Sequence, residues 1–384
     1  MKDRVCAAQR GNGAARGPLA KWGIWGSEST TRRMPSWLRT IAVVRASRVV
    51  FRSMLLAGLA VASSLQPGAA ATPRPSAGPW PLGAFTIVPG GVNGCPVGFA
   101  CSRFAVSACL DVRQTATAEL AVAFPPGQTR GTVVFFTGGT GQSWWGSMTP
   151  AAEALLDRLR TRSGFTVVEV KWMLPWLAAS SGEAAGPAHL ACRPATAIQW
   201  IHDHVYVPRR VRPASGSCGF CVTGSSGGAS QAAYALSHYG LDGILDGVFP
   251  TSGPPHAALV KGCQPGYPGY QYGPDEVFID ASYGFLDPTH HPGPCTRQDP
   301  AWIPAWEADS VDTGANDVSH PATRIEFVIG GQDVTSAPEH AADYHDLLEQ
   351  DPGNDVTWTF VPSMVHDIQL SQDGLAALEA AIVA

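Results

Sequence analysis

The sequence predicts an α/β fold: a mostly parallel central sheet with helices on both faces and one irregular insertion. Three observations lead there. Short β-branched runs alternate with amphipathic stretches along most of the chain. Several of those runs are continuously apolar, as strands covered on both faces must be. An apolar share of 45% against 15% charged residues, over 384 residues, is enough for a sizeable core.

Each element follows from its own residues. Residues 72–94 are rich in Pro and Gly and read as a linker to a domain over 95–384. Residues 118–124 alternate roughly and stop at Pro125-Pro126-Gly127, which predicts a half-exposed strand. Gly131 to Phe136 is continuously apolar and predicts a buried parallel strand. Thr149 is placed to cap a helix from Pro150 to about Arg162. Phe165 to Val170 is the next strand. Ala195, Ile198, Trp200, Ile201 and Val205 give residues 191–206 an apolar helical face. Phe220 to Thr223 is a strand and Ala229 to Tyr239 a helix. Strands follow at Gly247-Val248-Phe249 and Ile325 to Ile329, then a helix near Pro338–Glu349. Val356 to Val361 is the last strand, and Gly374 to Val383 closes the chain as a helix. Residues 254–320 break this rhythm with Pro, Gly, Tyr, Trp and two cysteines. A stretch that long inside a compact domain is usually functional, so an ordered lid over a site is expected.

The net charge of -5 is an average over two unlike pieces. Residues 1–71 hold eleven Lys and Arg against two Asp and Glu, whereas the rest holds fifteen against twenty-nine. Arg45, Arg48 and Arg52 precede an apolar run from Met54 to Leu65, and Ala69-Ala70-Ala71 follows. That order predicts a secretory signal peptide cut after Ala71, within an N-terminal extension over 1–71. Met34 and Met54 are alternative starts, and Arg32-Arg33 leaves a twin-arginine signal open. After the leader no run of about 20 apolar residues remains, so no stable membrane span is expected. A pI near 6.1 argues against a basic nucleic-acid surface, and an acidic remainder with only Lys171 and Lys261 as lysines argues against anionic membranes as partners. The expected location is extracellular or periplasmic.

Cysteine usage agrees with export. Beyond Cys6 stand Cys95, Cys101, Cys109, Cys192, Cys218, Cys221, Cys263 and Cys295. An even number in an exported chain suggests disulfides, although eight cysteines allow about a hundred pairings. Cys263 with Cys295 would staple the lid region. Cys218-x-x-Cys221 runs into a Gly-Ser turn rather than a helix, so a structural role is expected over thioredoxin-like chemistry.

The chemistry gathers where strands end. Gly224-Ser225-Ser226-Gly227-Gly228 follows one predicted strand and precedes one predicted helix. A G-x-S-x-G between strand and helix is a nucleophile elbow: the turn is tight, and the serine projects near a helix N-terminus that favours negative charge. Ser226 is the expected nucleophile. At these residues the chain resembles the α/β-hydrolase superfamily, over most of residues 115–384 and in motif order rather than in close identity. The resemblance implies an α/β-hydrolase fold and a triad in the order serine, acid, histidine. Asp333, in Ile329-Gly330-Gly331-Gln332-Asp333, fits the acid, with Asp246 as the fallback. His366, in Pro362-Ser363-Met364-Val365-His366-Asp367, fits the base, since imidazole takes up and returns a proton near neutrality. The oxyanion would meet the backbone N–H of Gly227 and a second donor from Thr137-Gly138-Gly139-Thr140-Gly141. Many members carry His-Gly where this chain has Thr137-Gly138, which leaves Gly139 and Thr140 both open as that donor.

Other residues are ambiguous. Trp144 and Trp145 either line the acyl or alcohol pocket or pack the core. Tyr267, Tyr270, Tyr272 and Tyr283 either wall the site or pack the lid. His202-Asp203-His204 invites a metal reading, but helical residues two apart face different ways. His290 and His291 read as solvent-facing. No metal and no organic cofactor is expected.

The expected function is that of an exported serine hydrolase cleaving carboxylic esters through an acyl-enzyme. Its substrate would be a small or polymeric ester: a lipid, a polyester or a plant-wall phenolic ester. A serine peptidase or amidase of the same fold is the alternative, and a non-catalytic binding protein of that fold is the rival class.

Overall fold

The computed structural model of the protein describes residues 79–210, 218–315 and 317–384. The leader expected over 1–71, its cleavage site and residues 72–78 lie outside them. In chain order the strands are β1 (Ala84–Val88), β2 (Ala100–Ser107), β3 (Ala116–Ala123), β4 (Gly131–Phe136), β5 (Phe165–Trp172), β6 (Phe220–Ser225), β7 (Gly247–Thr251), β8 (Arg324–Gly330) and β9 (Asp355–Val361). They form one sheet in the spatial order β1-β2-β3-β5-β4-β6-β7-β8-β9. Strands β4 to β9 are mutually parallel, while β1, β2 and β3 pair antiparallel and attach through β5.

The helices are α1 (Pro150–Thr161), α2 (Gly186–Leu190), α3 (Cys192–Ile201), α4 (Gly227–Ser237), α5 (Leu259–Cys263), α6 (Glu276–Ser282), α7 (Ile303–Asp309), α8 (Val311–Gly314), α9 (Ala337–Leu348) and α10 (Gln372–Val383). Side chains alternate across a strand, so one strand feeds two cores. Val133 and Phe135 of β4 pack with Leu155 and Leu159 of α1 and Leu375 and Leu378 of α10. Val134 and Phe136 pack on the other face with Ile198 of α3, Tyr234 of α4 and Tyr344 of α9. Every residue of β4 is therefore buried, which explains its unbroken apolar run. Thr149 caps α1 as expected, its Oγ1 accepting from Ala152 N at 3.1 Å. No helix among the described residues is long and apolar enough to cross a membrane.

Three expectations are corrected. The stretch read as linker contains β1, which pairs with β2 from Ala84↔Ser107 to Val88↔Arg103. Both strands alternate imperfectly and β1 is largely exposed, so neither carries the apolar signal of an inner strand. The helix expected over 191–206 ends at Ile201 and widens into a π turn over His202–Tyr206. The stretch over 254–320, expected as an irregular lid, is helical in short pieces, with α5 to α8 inside it. It has its own core of Leu259, Tyr272, Ile279, Tyr283 and Trp306, with the Cys263–Cys295 disulfide within it. The remaining pairs are Cys95–Cys101, Cys109–Cys192 and Cys218–Cys221.

Candidate active site

The carboxy-terminal ends of β6, β8 and β9 deliver one candidate residue each to the same edge of the sheet. β6 ends at Ser225 and α4 begins at Gly227, so Ser226 alone makes the turn. It does so at φ 52° and ψ -119°. A non-glycine residue with positive φ is strained by about 1–3 kcal/mol, and such strain concentrates at functional sites. The flanking glycines allow it by close approach. A Cβ on Gly224 would sit 2.3 Å from the Gly228 backbone, and one on Gly228 would sit 2.3 Å from Phe136 O. The Ser226 N–H donates to Thr251 O at 2.9 Å, which ties the turn to β7.

Asp333 follows β8 and His366 follows β9. His366 Nδ1 donates to Asp333 Oδ2 at 2.8 Å, and the aspartate side chain is fully buried. The other carboxylate oxygen, Oδ1, accepts from Thr335 N at 3.0 Å and from Thr335 Oγ1 at 2.7 Å. Thr335 Oγ1 also lies 3.1 Å from His366 Nδ1, so one hydroxyl touches both partners. Burial pulls the Asp333 pKa up, but His366 and Thr335 outweigh it and hold the carboxyl below its ordinary range. Burial pulls His366 down, and Asp333, Asp367 and Asp275 outweigh that and raise it. The two shifts have the signs of one ion pair. Sequence alone does not single out Thr335, although Asp-x-Thr is an ordinary signature of a side chain bonding the backbone two residues on.

Ser226, Gly227, Gly138, Gly139 and His366 all line one cavity of about 280 Å³. The backbone of Gly139 presses on Gly227, where a Cβ would meet Gly139 O at 2.3 Å. Thr140 stands outside that lining. Its carbonyl accepts from Trp176 N at 3.2 Å and its hydroxyl donates to Gln142 Oε1 at 3.0 Å. From the lid, Tyr272, Asp275 and Phe278 reach the same cavity.

Several candidates are not brought there. Trp144 and Trp145 are buried in packing, not in the cavity wall. Trp144 Nε1 donates to Gly94 O at 2.9 Å with the Lys171 ammonium over its ring, and Trp145 packs on Phe135. An aromatic pair directly after a candidate catalytic loop has two faces to choose from, and both rings chose the core. Tyr270 and Tyr283 are bonded to Asp343 and Asp309 instead, and Tyr267 is exposed. Asp246 precedes β7, at the opposite edge, and accepts from Phe220 N at 2.7 Å. His202 pairs with its neighbour Asp203 at 2.8 Å and His290 with Asp287 at 3.0 Å, both away from the cavity. Side chains spaced to hold a cation do occur, but outside it.

No protein-family model and no curated protein matches the chain. Among solved structures it is similar to Est1E from Butyrivibrio proteoclasticus, at 11% identity and TM-score 0.44, over 70% of this chain and 92% of that one. It is also similar to a thermophilic esterase from the Planctomycetes species Thermogutta terrifontis, at 15% identity and TM-score 0.42, over 69% and 88%. An acylaminoacyl peptidase from Pyrococcus horikoshii aligns at 10% identity and TM-score 0.46, over 74% of this chain but 41% of its own. The fold is an α/β-hydrolase fold: a mostly parallel sheet with helices on both faces and a helical insertion between β7 and β8.

Proposed function

We propose that the chain is an exported serine hydrolase that cleaves carboxylic esters. The observation that carries this reading is the 2.8 Å bond from His366 Nδ1 to Asp333, beside a cavity shared with a strained Ser226. With Nδ1 engaged, Nε2 is the ring nitrogen left to act as base. It takes the proton as Ser226 Oγ attacks the carbonyl carbon. The tetrahedral oxyanion is met by the N–H groups of Gly227 and Gly139, and Gly139 is preferred to Thr140 because only Gly139 lines the cavity. His366 then gives its proton to the leaving alcohol. Water attacks the acyl-enzyme by the same route in reverse.

The cavity lining holds two carboxylates, Asp275 and Asp367, and no Lys or Arg among the described residues. That favours uncharged or cationic substrates over anionic ones. Four disulfides suit an oxidising compartment, in line with the export expected from the leader. A fluorophosphonate probe tests the reading. It should label the wild type at Ser226 and leave Ser226→Ala unlabelled; a folded, oxidised wild type that stays unlabelled would sink the proposal. A matched panel of acyl esters and amides then separates esterase from peptidase.

A further inference from the structure

The opposite edge of the sheet, where β7 and β8 begin, holds a second set of ligating side chains. Asp242, Asp317 and His320 bring two carboxylate oxygens and an imidazole nitrogen within 4.8 Å of one another. Asp242 lies in the helical turn Leu241–Gly243 after α4, and the other two lie in the stretch that returns from the lid to β8. Backbone bonds fix all three. Asp317 N donates to Ser237 O at 3.0 Å, Thr323 Oγ1 donates to Asp242 O at 3.2 Å, and His320 N donates to Asn354 Oδ1.

The ring of His320 is the informative part. It is completely buried, yet neither Nδ1 nor Nε2 has a hydrogen-bond partner. A buried polar atom left unsatisfied costs about 1–3 kcal/mol, so two on one ring call for an explanation. No hydrogen bond joins the ring to either nearby carboxylate. A ring nitrogen that no hydrogen bond engages keeps its lone pair to give to an ion.

We propose that Asp242, Asp317 and His320 bind one divalent cation of the zinc class. Imidazole with carboxylates suits zinc better than calcium or magnesium, which take oxygen donors. Donors about 2.0–2.2 Å from the ion would leave a fourth position to water. The ion cross-links the return of the lid to the turn before β7. It acts on stability and not on chemistry, because it sits across the sheet from Ser226. The sequence alone carries no sign of this site, since its ligands come from separate segments with no ligand spacing to notice. The second cluster, His345, Asp346 and Glu349, makes no such demand: its ring nitrogens already face carboxylates at 3.3 and 3.7 Å.

The test titrates the chelated, oxidised protein with zinc chloride and with calcium chloride by calorimetry, and records Tm with and without zinc. One zinc per chain is expected, with Tm raised by about 5 °C at saturation. Asp242→Asn and Asp317→Asn should each weaken zinc at least about ten-fold, while His345→Ala leaves it unchanged. No stoichiometric zinc in the wild type, zinc binding unaltered in the Asp242→Asn/Asp317→Asn double variant, or tighter calcium than zinc would each overturn the proposal. Should the variants not fold, zinc-edge X-ray absorption of the wild type decides: one imidazole with oxygen donors supports the site, and sulfur or two imidazoles refute it.

Discussion

At the carboxy-terminal edge of the parallel strands a histidine is bonded to an aspartate; at the amino-terminal edge another histidine lies beside two aspartates and is bonded to neither. His366 is partly open to a cavity and its pKa is raised, whereas His320 is sealed and its pKa is lowered. The same residue types thus meet opposite environments at the two edges. A bonded imidazole becomes a stronger base, suited to taking a proton. An unbonded, buried one stays neutral and is suited to holding an ion. Partner geometry decides this, and composition does not.

The most severe break of the carboxy-terminal edge is Ser226→Ala, which should lower kcat/KM about 10⁴-fold or more with Tm scarcely changed. Asp333→Asn should cost about 10⁴-fold in kcat by freeing the His366 tautomer, while Asp246→Asn at the other edge should stay within a few-fold. If Asp246→Asn alone abolished turnover, the acid would be misassigned.

The pH profile sharpens the comparison. Catalysis needs neutral His366, so the acidic limb of kcat/KM should titrate above the ordinary imidazole value of about 6.5. In Asp333→Asn any residual activity should titrate lower. Stability runs the other way. The raised His366 pKa contributes stability that is present below the unfolded value and is lost as pH rises through the folded value. The lowered Asp333 pKa contributes stability present above the unfolded value and lost as pH falls through the folded one. Urea denaturation of wild type and Asp333→Asn across pH measures both. Thr335→Val should cost about ten-fold in kcat with KM little changed, since the Thr335 hydroxyl donates to Asp333 Oδ1 and lies 3.1 Å from His366 Nδ1. The smallest effect on rate belongs to the lid staple. Cys263→Ala/Cys295→Ala opens a loop of 32 residues and should lower stability by about 3–4 kcal/mol, leaving labelling at Ser226 intact below the lowered Tm.

Much of the carboxy-terminal edge was legible in the sequence, because buried parallel strands write themselves as apolar runs, and β4, β6, β8 and β9 end where candidate residues stand. Gly224 and Gly228 around Ser226 were readable for the same steric reason that they are needed. β1 and β2 were not readable, since antiparallel edge strands alternate with solvent and lie here among Pro and Gly. Trp144 and Trp145 were ambiguous because periodicity says that an aromatic is buried but not against what. Asp242, Asp317 and His320 had no legible pattern at all, as only the folded sheet brings their segments together.

The positive φ of Ser226 has a consequence for how this chain would change under different demands. Glycine would occupy that turn without the strain, so Ser226→Gly is a substitution that stabilises while it silences. A lineage selected for endurance alone would drift toward glycine at this position.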